Sequence, residues 1–129
     1  MLDHNLSPLI ARALAELFHG KHEIYALRDK FPNNTPDKVW IEELSKVDRW
    51  VILSADRRIT KNRAEREAFS RSRLIGFFLS AGLQKAGPIK QMERILAQWE
   101  IIEKQFALVK GSAAFELQAK GSRLSQIYN

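Results

Sequence analysis

Hydrophobic positions along this chain change period several times, and each change marks an element. Leu9, Ile10, Ala13, Leu14, Leu17 and Phe18 recur at helical spacing. Ser7-Pro8 ahead of them supplies a capping hydroxyl and a proline at the first helical position, and Gly20 stops the helix. His22 to Leu27 reads as a short strand, and Phe31-Pro32-Asn33-Asn34 as a loop of turn formers. Thr35-Pro36 repeats the cap-plus-proline start for a helix to about Lys46. Trp50 to Ala55 is a continuous apolar run bounded by charges, the pattern of a strand buried on both faces of a parallel sheet. A helix from about Asn62 to Ser70 follows, then a second continuous apolar strand, Leu74 to Leu79. From Pro88 the spacing predicts one long amphipathic helix to about Val109, with Ile89, Met92, Ile95, Leu96, Trp99, Ile102, Phe106 and Val109 on its stripe. Ala114 to Leu117 reads as a last strand and Gly121 to Asn129 as a turn and basic tail.

Strands alternating with helices predict an α/β three-layer α/β/α sandwich with a mostly parallel central sheet and right-handed crossovers. The 129 residues suit a single domain, and no repeat or linker divides them. The first strand would hold only Met1, Leu2 and Asp3, against the usual length of about 5–6 residues. Either that strand is clipped or the true start lies upstream.

Composition then narrows the function classes. The absence of cysteine excludes disulfides, thiolate metal sites and cysteine nucleophiles. No apolar run approaches the ~20 residues of a membrane span, and the N-terminus lacks the features of a signal peptide, so a cytoplasmic protein with no membrane partner is expected. A net charge of +6 and a pI near 9.8 favour phosphate backbones or acidic partners. The densest basic stretch holds Arg57, Arg58, Lys61, Arg63, Arg66, Arg71 and Arg73, and it begins directly after Asp56.

Asp56 is the candidate that organises the rest. It ends a buried strand, and in open α/β sheets ligands bind in the crevice beyond the carboxyl ends of the strands. Asp3 ends the strand stub ahead of the Ser7-Pro8 helix and reaches the same crevice if the two strands are neighbours. Asp37 precedes Trp40, Ile41 and Leu44 by three, four and seven positions and so shares the inward face of its helix. Its plainer role is to complement the positive end of the helix dipole, worth ~0.3–1 kcal/mol. Glu65 is the candidate fourth acid, with Ala64, Ala68 and Phe69 packing inward and Glu67 turned outward; its plainer role is an ion pair with Lys61, Arg63 or Arg66. Several carboxylates from different elements suit a hard divalent cation such as Mg²⁺ or Mn²⁺, which lowers the pKa of a bound water and stabilises charge on a phosphoryl oxygen. Arg57, Arg58, Lys61 and Arg63 are placed to hold the flanking backbone of a nucleic acid.

These residues carry a resemblance. Asp3-His4-Asn5-Leu6-Ser7-Pro8, Thr35-Pro36-Asp37-Lys38-Val39-Trp40-Ile41 and Leu53-Ser54-Ala55-Asp56-Arg57-Arg58-Ile59 resemble, in order and interval, the three acidic motifs of VapC-type PIN-like toxin domains. The likeness extends over about residues 1 to 83. It implies a ribonuclease toxin of a type II toxin–antitoxin pair that cuts RNA with Mg²⁺ or Mn²⁺ and is held by a cognate antitoxin protein. It also implies that Asp3, Asp37 and Asp56 hold the metal, with Glu65 as a fourth catalytic acid. The rival is a catalytically inactive PIN-like module that sequesters RNA or an antitoxin. A phosphoacceptor receiver domain fits less well, since His4 stands where a paired acid belongs and Ser80-Ala81-Gly82 follow the late strand instead of a lysine. His4, His19 and His22 read as surface residues, and Trp40, Trp50 and Trp99 as core. The stripe of the long helix has two readings, packing on the sheet or the face of a homodimer, of which packing is the simpler.

Overall fold

The structure, a computed structural model, describes residues 7–32, 34–47, 50–55, 63–121 and 125–128. Ser7 caps α1 (Pro8–Leu17) as its sequence implies, its hydroxyl accepting the Leu9 N–H at 3.2 Å. The helix closes through Phe18, and Gly20 takes φ +85°, a left-handed turn that glycine adopts without strain. His22 to Leu27 is not a strand. The His22 N–H returns to the Phe18 carbonyl, Ala26 forms a single bridge, and a one-turn helix α2 (Leu27–Lys30) follows. The reason lies in the side chains: His22 packs against Phe18 and Trp99, and Tyr25 packs edge-on to Trp50, so the segment is held by rings and not by a ladder.

α3 (Asp37–Val47) begins one position later than the cap-plus-proline reading, because Pro36 itself accepts the first helical bonds, from Val39 and Trp40. It leads into β1 (Val51–Ser54), α4 (Arg63–Ser70) and β2 (Ile75–Leu79). A short helix α5 (Ala81–Gln84) follows, with Ser80 as its cap. The expected single helix from Pro88 is two helices, α6 (Pro88–Ala97) and α7 (Trp99–Leu108), broken at Gln98 (φ −105°, ψ 9°). β3 (Ala113–Leu117) comes next, and β4 (Ser125–Tyr128) occupies part of what reads as a tail.

Among the described residues the sheet runs β1-β2-β3-β4, parallel throughout except for the antiparallel β3–β4 pair. The mostly parallel α/β/α sandwich is therefore observed. In register, Leu53, Phe77 and Phe115 point to one face, while Ile52, Gly76 and Ala114 point to the other. The first face packs against α1, α5, α6 and α7 through Ile10, Leu14, Leu83, Ile95 and Ile102. The second packs against α2, α3 and α4 through Leu27, Trp40, Ile41, Leu44 and Phe69. Gly76 is small for a reason on that face: a Cβ there would lie 2.5 Å from the Phe78 ring and 3.0 Å from Phe69.

Most of the stripe expected on the long helix is observed, with Met92, Trp99, Phe106 and Val109 packed partly buried against the core. Ile95 and Ile102 are buried, but Ile89 is 86% and Leu96 37% exposed, and Gln91 and Gln98 are buried in their place. Gln91 earns an interior position by donating from Nε2 to the carbonyls of Leu83, Gln84 and Ala86 at the end of α5. That anchor sets the rotation of α6, and the break at Gln98 lets α7 adopt its own. Arg94 adds a tie to the segment after β3, donating to the carbonyls of Gln118 and Gly121.

Candidate functional site

Parallel strands make the two ends of this sheet chemically different. α3 precedes β1 and α4 joins β1 to the parallel β2, so both helices run back along the sheet with their N-termini at its carboxyl end. The first turns of α3 and α4 thus stand at the rim where α/β sheets bind ligands. Asp37 occupies the first turn of α3 and Glu65 the first turn of α4. Carboxylates there also face the positive ends of two helix dipoles.

Asp37 is half-buried on the inward face, as the spacing predicts, above the buried Trp40, Ile41 and Leu44. Its Oδ1 accepts the indole N–H of Trp40 at 2.8 Å. Trp40 is core, as its apolar pattern predicts, but the buried indole also needs an acceptor, and the acid three residues earlier provides it. Glu65 is half-buried and its Oε2 is closed off from solvent. Glu67 is exposed and accepts from Arg63 Nε at 3.3 Å, so Arg63, one of the three partners expected for Glu65, pairs with Glu67. Ala64, expected to pack inward, is exposed, while Phe69 is fully buried. Arg63 itself is 93% exposed along its side chain.

Asp3, Asp56, Arg57, Arg58 and Lys61 lie outside the described residues. Among the described residues no three acids or histidines stand together as a metal-holding group. Asp37 and Glu65 share a rim and a layer, therefore, without forming a complete ligand set by themselves.

One acid escaped the sequence reading. Glu116 lies on β3 in the row Ser54–Phe78–Glu116, on the sheet face that α3 and α4 cover. It is half-buried one residue from the carboxyl end of its strand, and its Oε1 accepts from Gln118 Nε2 at 2.6 Å. The signal that could have found it is the one used for Asp56, an acid closing an apolar strand.

A groove of about 390 Å³ runs between α3 and α4. Lys38, Lys46 and Arg71 line it together with Glu42 and Glu67, over a floor that includes Ala64 and Ala68. Lys46 is paired with Glu43 at 3.1 Å, whereas Lys38 and Arg71 make no ion pair among the described residues. The groove starts beside Asp37 and leaves the rim toward the amino end of the sheet. No helix among the described residues is long and apolar enough to cross a membrane.

No curated protein and no solved structure matches the chain. A family model described as a PIN like domain matches residues 1–81. That span contains all three acidic motifs, both helices whose first turns carry Asp37 and Glu65, and the first two strands of the sheet. With well over half its length inside that match, the chain belongs to the PIN-like domain family.

Proposed function

We propose that this protein is a metal-dependent endoribonuclease, the toxin of a type II toxin–antitoxin pair, that hydrolyses RNA phosphodiester bonds. The observation that carries the reading is the half-buried Asp37 on the inward face of α3, at the carboxyl-end rim and inside the family match. A half-buried carboxylate needs compensation. Among the described residues the Trp40 indole supplies it to one oxygen, Oδ1.

The donor chemistry fits Mg²⁺ or Mn²⁺, since aspartate and glutamate oxygens are the hard ligands these ions take. Asp3, Asp37 and Asp56 would hold the ion, with Glu65 beside them. When bound, the ion supplies a lowered pKa for a coordinated water and charge stabilisation for a phosphoryl oxygen. The chain's own residues do the rest. Trp40 fixes the rotamer of Asp37 through the 2.8 Å bond, so no rotational freedom is lost at that carboxylate when substrate binds. Arg57, Arg58, Lys61 and Arg63 steer the RNA backbone; Arg63, whose ion pair is with an exposed glutamate, can exchange Glu67 for a phosphate. A cognate antitoxin holds the activity in check, and the cytoplasm is where RNA and antitoxin are both met.

The second reading, an inactive PIN-like module that sequesters RNA or an antitoxin, is favoured by a different aspect of the same residue. An Asp37 whose whole purpose is to accept from Trp40 needs no metal. Incubating a generic single-stranded RNA with the protein separates the two. Cleavage requires Mn²⁺ or Mg²⁺ and stops with a chelator, and Asp56→Asn loses cleavage while keeping its circular dichroism spectrum and melting temperature. Binding without cleavage in every metal supports the inactive module; full cleavage by Asp56→Asn rejects the assigned site.

A further inference from the structure

Two helices that start at the same rim leave a channel running away from it. α3 packs against α4, and both begin at the carboxyl end of the sheet. Lys38, in the first turn of α3, therefore stands at the mouth of the groove beside Asp37. Lys46, near the end of α3, and Arg71, just past the end of α4, stand at the far end. Lys38 and Lys46 are separated by about 12 Å of helix at the usual rise per residue.

The lining identifies the class of occupant. Its apolar side chains are alanines, Ala64 and Ala68. A protein segment would find no pocket there for the large anchor residues that carry protein interfaces. Small residues instead let a sugar–phosphate chain approach the helices closely. Helices in contact have axes about 8–10 Å apart, so the trough between them takes one strand and not a duplex. Charge points the same way. Lys38 and Arg71 form no ion pair among the described residues. Lys46 is held by the exposed Glu43, a surface pair that a phosphate displaces at little cost. Of the two acids on the lining, Glu67 brings Arg63 with it at 3.3 Å, and Glu42 alone has no ion pair among the described residues. No aromatic ring lines the groove among the described residues, so the grip falls on phosphates and not on bases. Resting on the ribonuclease reading above, we infer that the α3–α4 groove is the track for an unpaired flank of the RNA, with Lys38 and Arg71 holding its phosphates at the near and far ends. RNA cut at the rim must then be single-stranded on the side that enters this groove, whatever its sequence there.

Fluorescence anisotropy of the full chain with a labelled mixed-sequence single-stranded RNA, in the presence of a chelator, reads binding without cleavage. Lys38→Ala and Arg71→Ala are each expected to weaken binding by about three- to tenfold. Each should also make the log–log salt slope shallower by about 0.7, the loss of one phosphate contact. Lys38→Arg keeps the charge and the affinity, and Glu42→Gln, which removes a repelling charge, tightens binding. Lys104→Ala, on the helix layer across the sheet, changes neither affinity nor slope. Lys38 and Arg71 are exposed, so their variants keep the wild-type melting temperature. Should one melt early, acetylation footprinting of the wild-type chain carries the same test: RNA shields Lys38 and not Lys104. Unchanged affinity and salt slope in both groove variants overturn the inference, as does shielding of Lys38 by a protein partner and not by RNA. Metal-dependent cleavage beside unchanged binding in those variants removes the track and leaves the ribonuclease. Weakened binding in a protein that cuts with no metal keeps the track and removes the ribonuclease.

Discussion

Asp37 has two duties that one substitution pair can separate. Its Oδ1 accepts from Trp40 Nε1, and its carboxylate stands at the rim proposed for the metal. Asp37→Asn keeps a carbonyl oxygen for the indole and removes the charge. Its stability should stay within about 1 kcal/mol of wild type, because a neutral acceptor replaces a charged one. Its affinity for Mn²⁺, read by isothermal titration calorimetry, should fall by about tenfold to a hundredfold or more, at least as much as loss of an outer-shell partner of a metal ligand. Trp40→Phe does the reverse, lowering stability by about 1–3 kcal/mol while leaving the ligand in place. An Asp37→Asn variant with unchanged metal affinity would confine that residue to its bond with Trp40. Gln98 makes a second residue-level case. Its amide is buried, and among the described residues neither polar atom has a hydrogen-bond partner. Gln98→Met, of similar shape without the polar atoms, is expected to stabilise the protein by about 1–2 kcal/mol in chemical denaturation.

At the level of elements, the face of the sheet under α3 and α4 is shaped by alternating large and small residues. Ile52, Gly76 and Ala114 form one row, and the Phe69 and Phe78 rings fill the space above the glycine. Both rings are fully buried, so neither can swing aside for an added methyl. Gly76→Ala should therefore destabilise by about 1–3 kcal/mol through overpacking, measured as a lower denaturation midpoint with an unchanged slope. An unchanged midpoint would mean that α4 shifts to make room. On the other face, α5 is only four residues long and survives because its ends are tied: Ser80 accepts the Leu83 N–H, and Gln91 caps its last carbonyls. The same glutamine that holds α5 thereby decides which residues of α6 meet solvent.

For the whole molecule, net charge is unevenly shared among the helices. Helices α1, α6 and α7 carry four basic and four acidic residues, so the +6 lies outside them. The proposed RNA binding has a salt signature. Affinity for single-stranded RNA should fall with a log–log slope of about −0.7 for every phosphate neutralised. Fluorescence anisotropy with labelled RNA reads this slope; an affinity that does not change with salt would reject a charged RNA-binding surface.

Much of this protein was legible in its chain because local rules suffice for it. Ser7-Pro8 starts α1, the unbroken apolar runs at Trp50 and Leu74 become buried parallel strands, and Asp37 takes the inward face that Trp40, Ile41 and Leu44 define. The acidic motifs, being linear, marked the family that residues 1–81 match. What periodicity could not supply are choices made between distant segments. His22 to Leu27 prefers aromatic partners from Trp99 and Trp50 to a ladder, and Ser125–Tyr128 becomes a strand only because β3 offers an edge. The helix from Pro88 turns Ile89 outward because Gln91 finds three carbonyls at the end of α5. A sequence states which side chains are apolar and at what interval; whether a given amide finds partners inside, and so displaces an isoleucine to the surface, depends on backbone groups that only folding brings within reach.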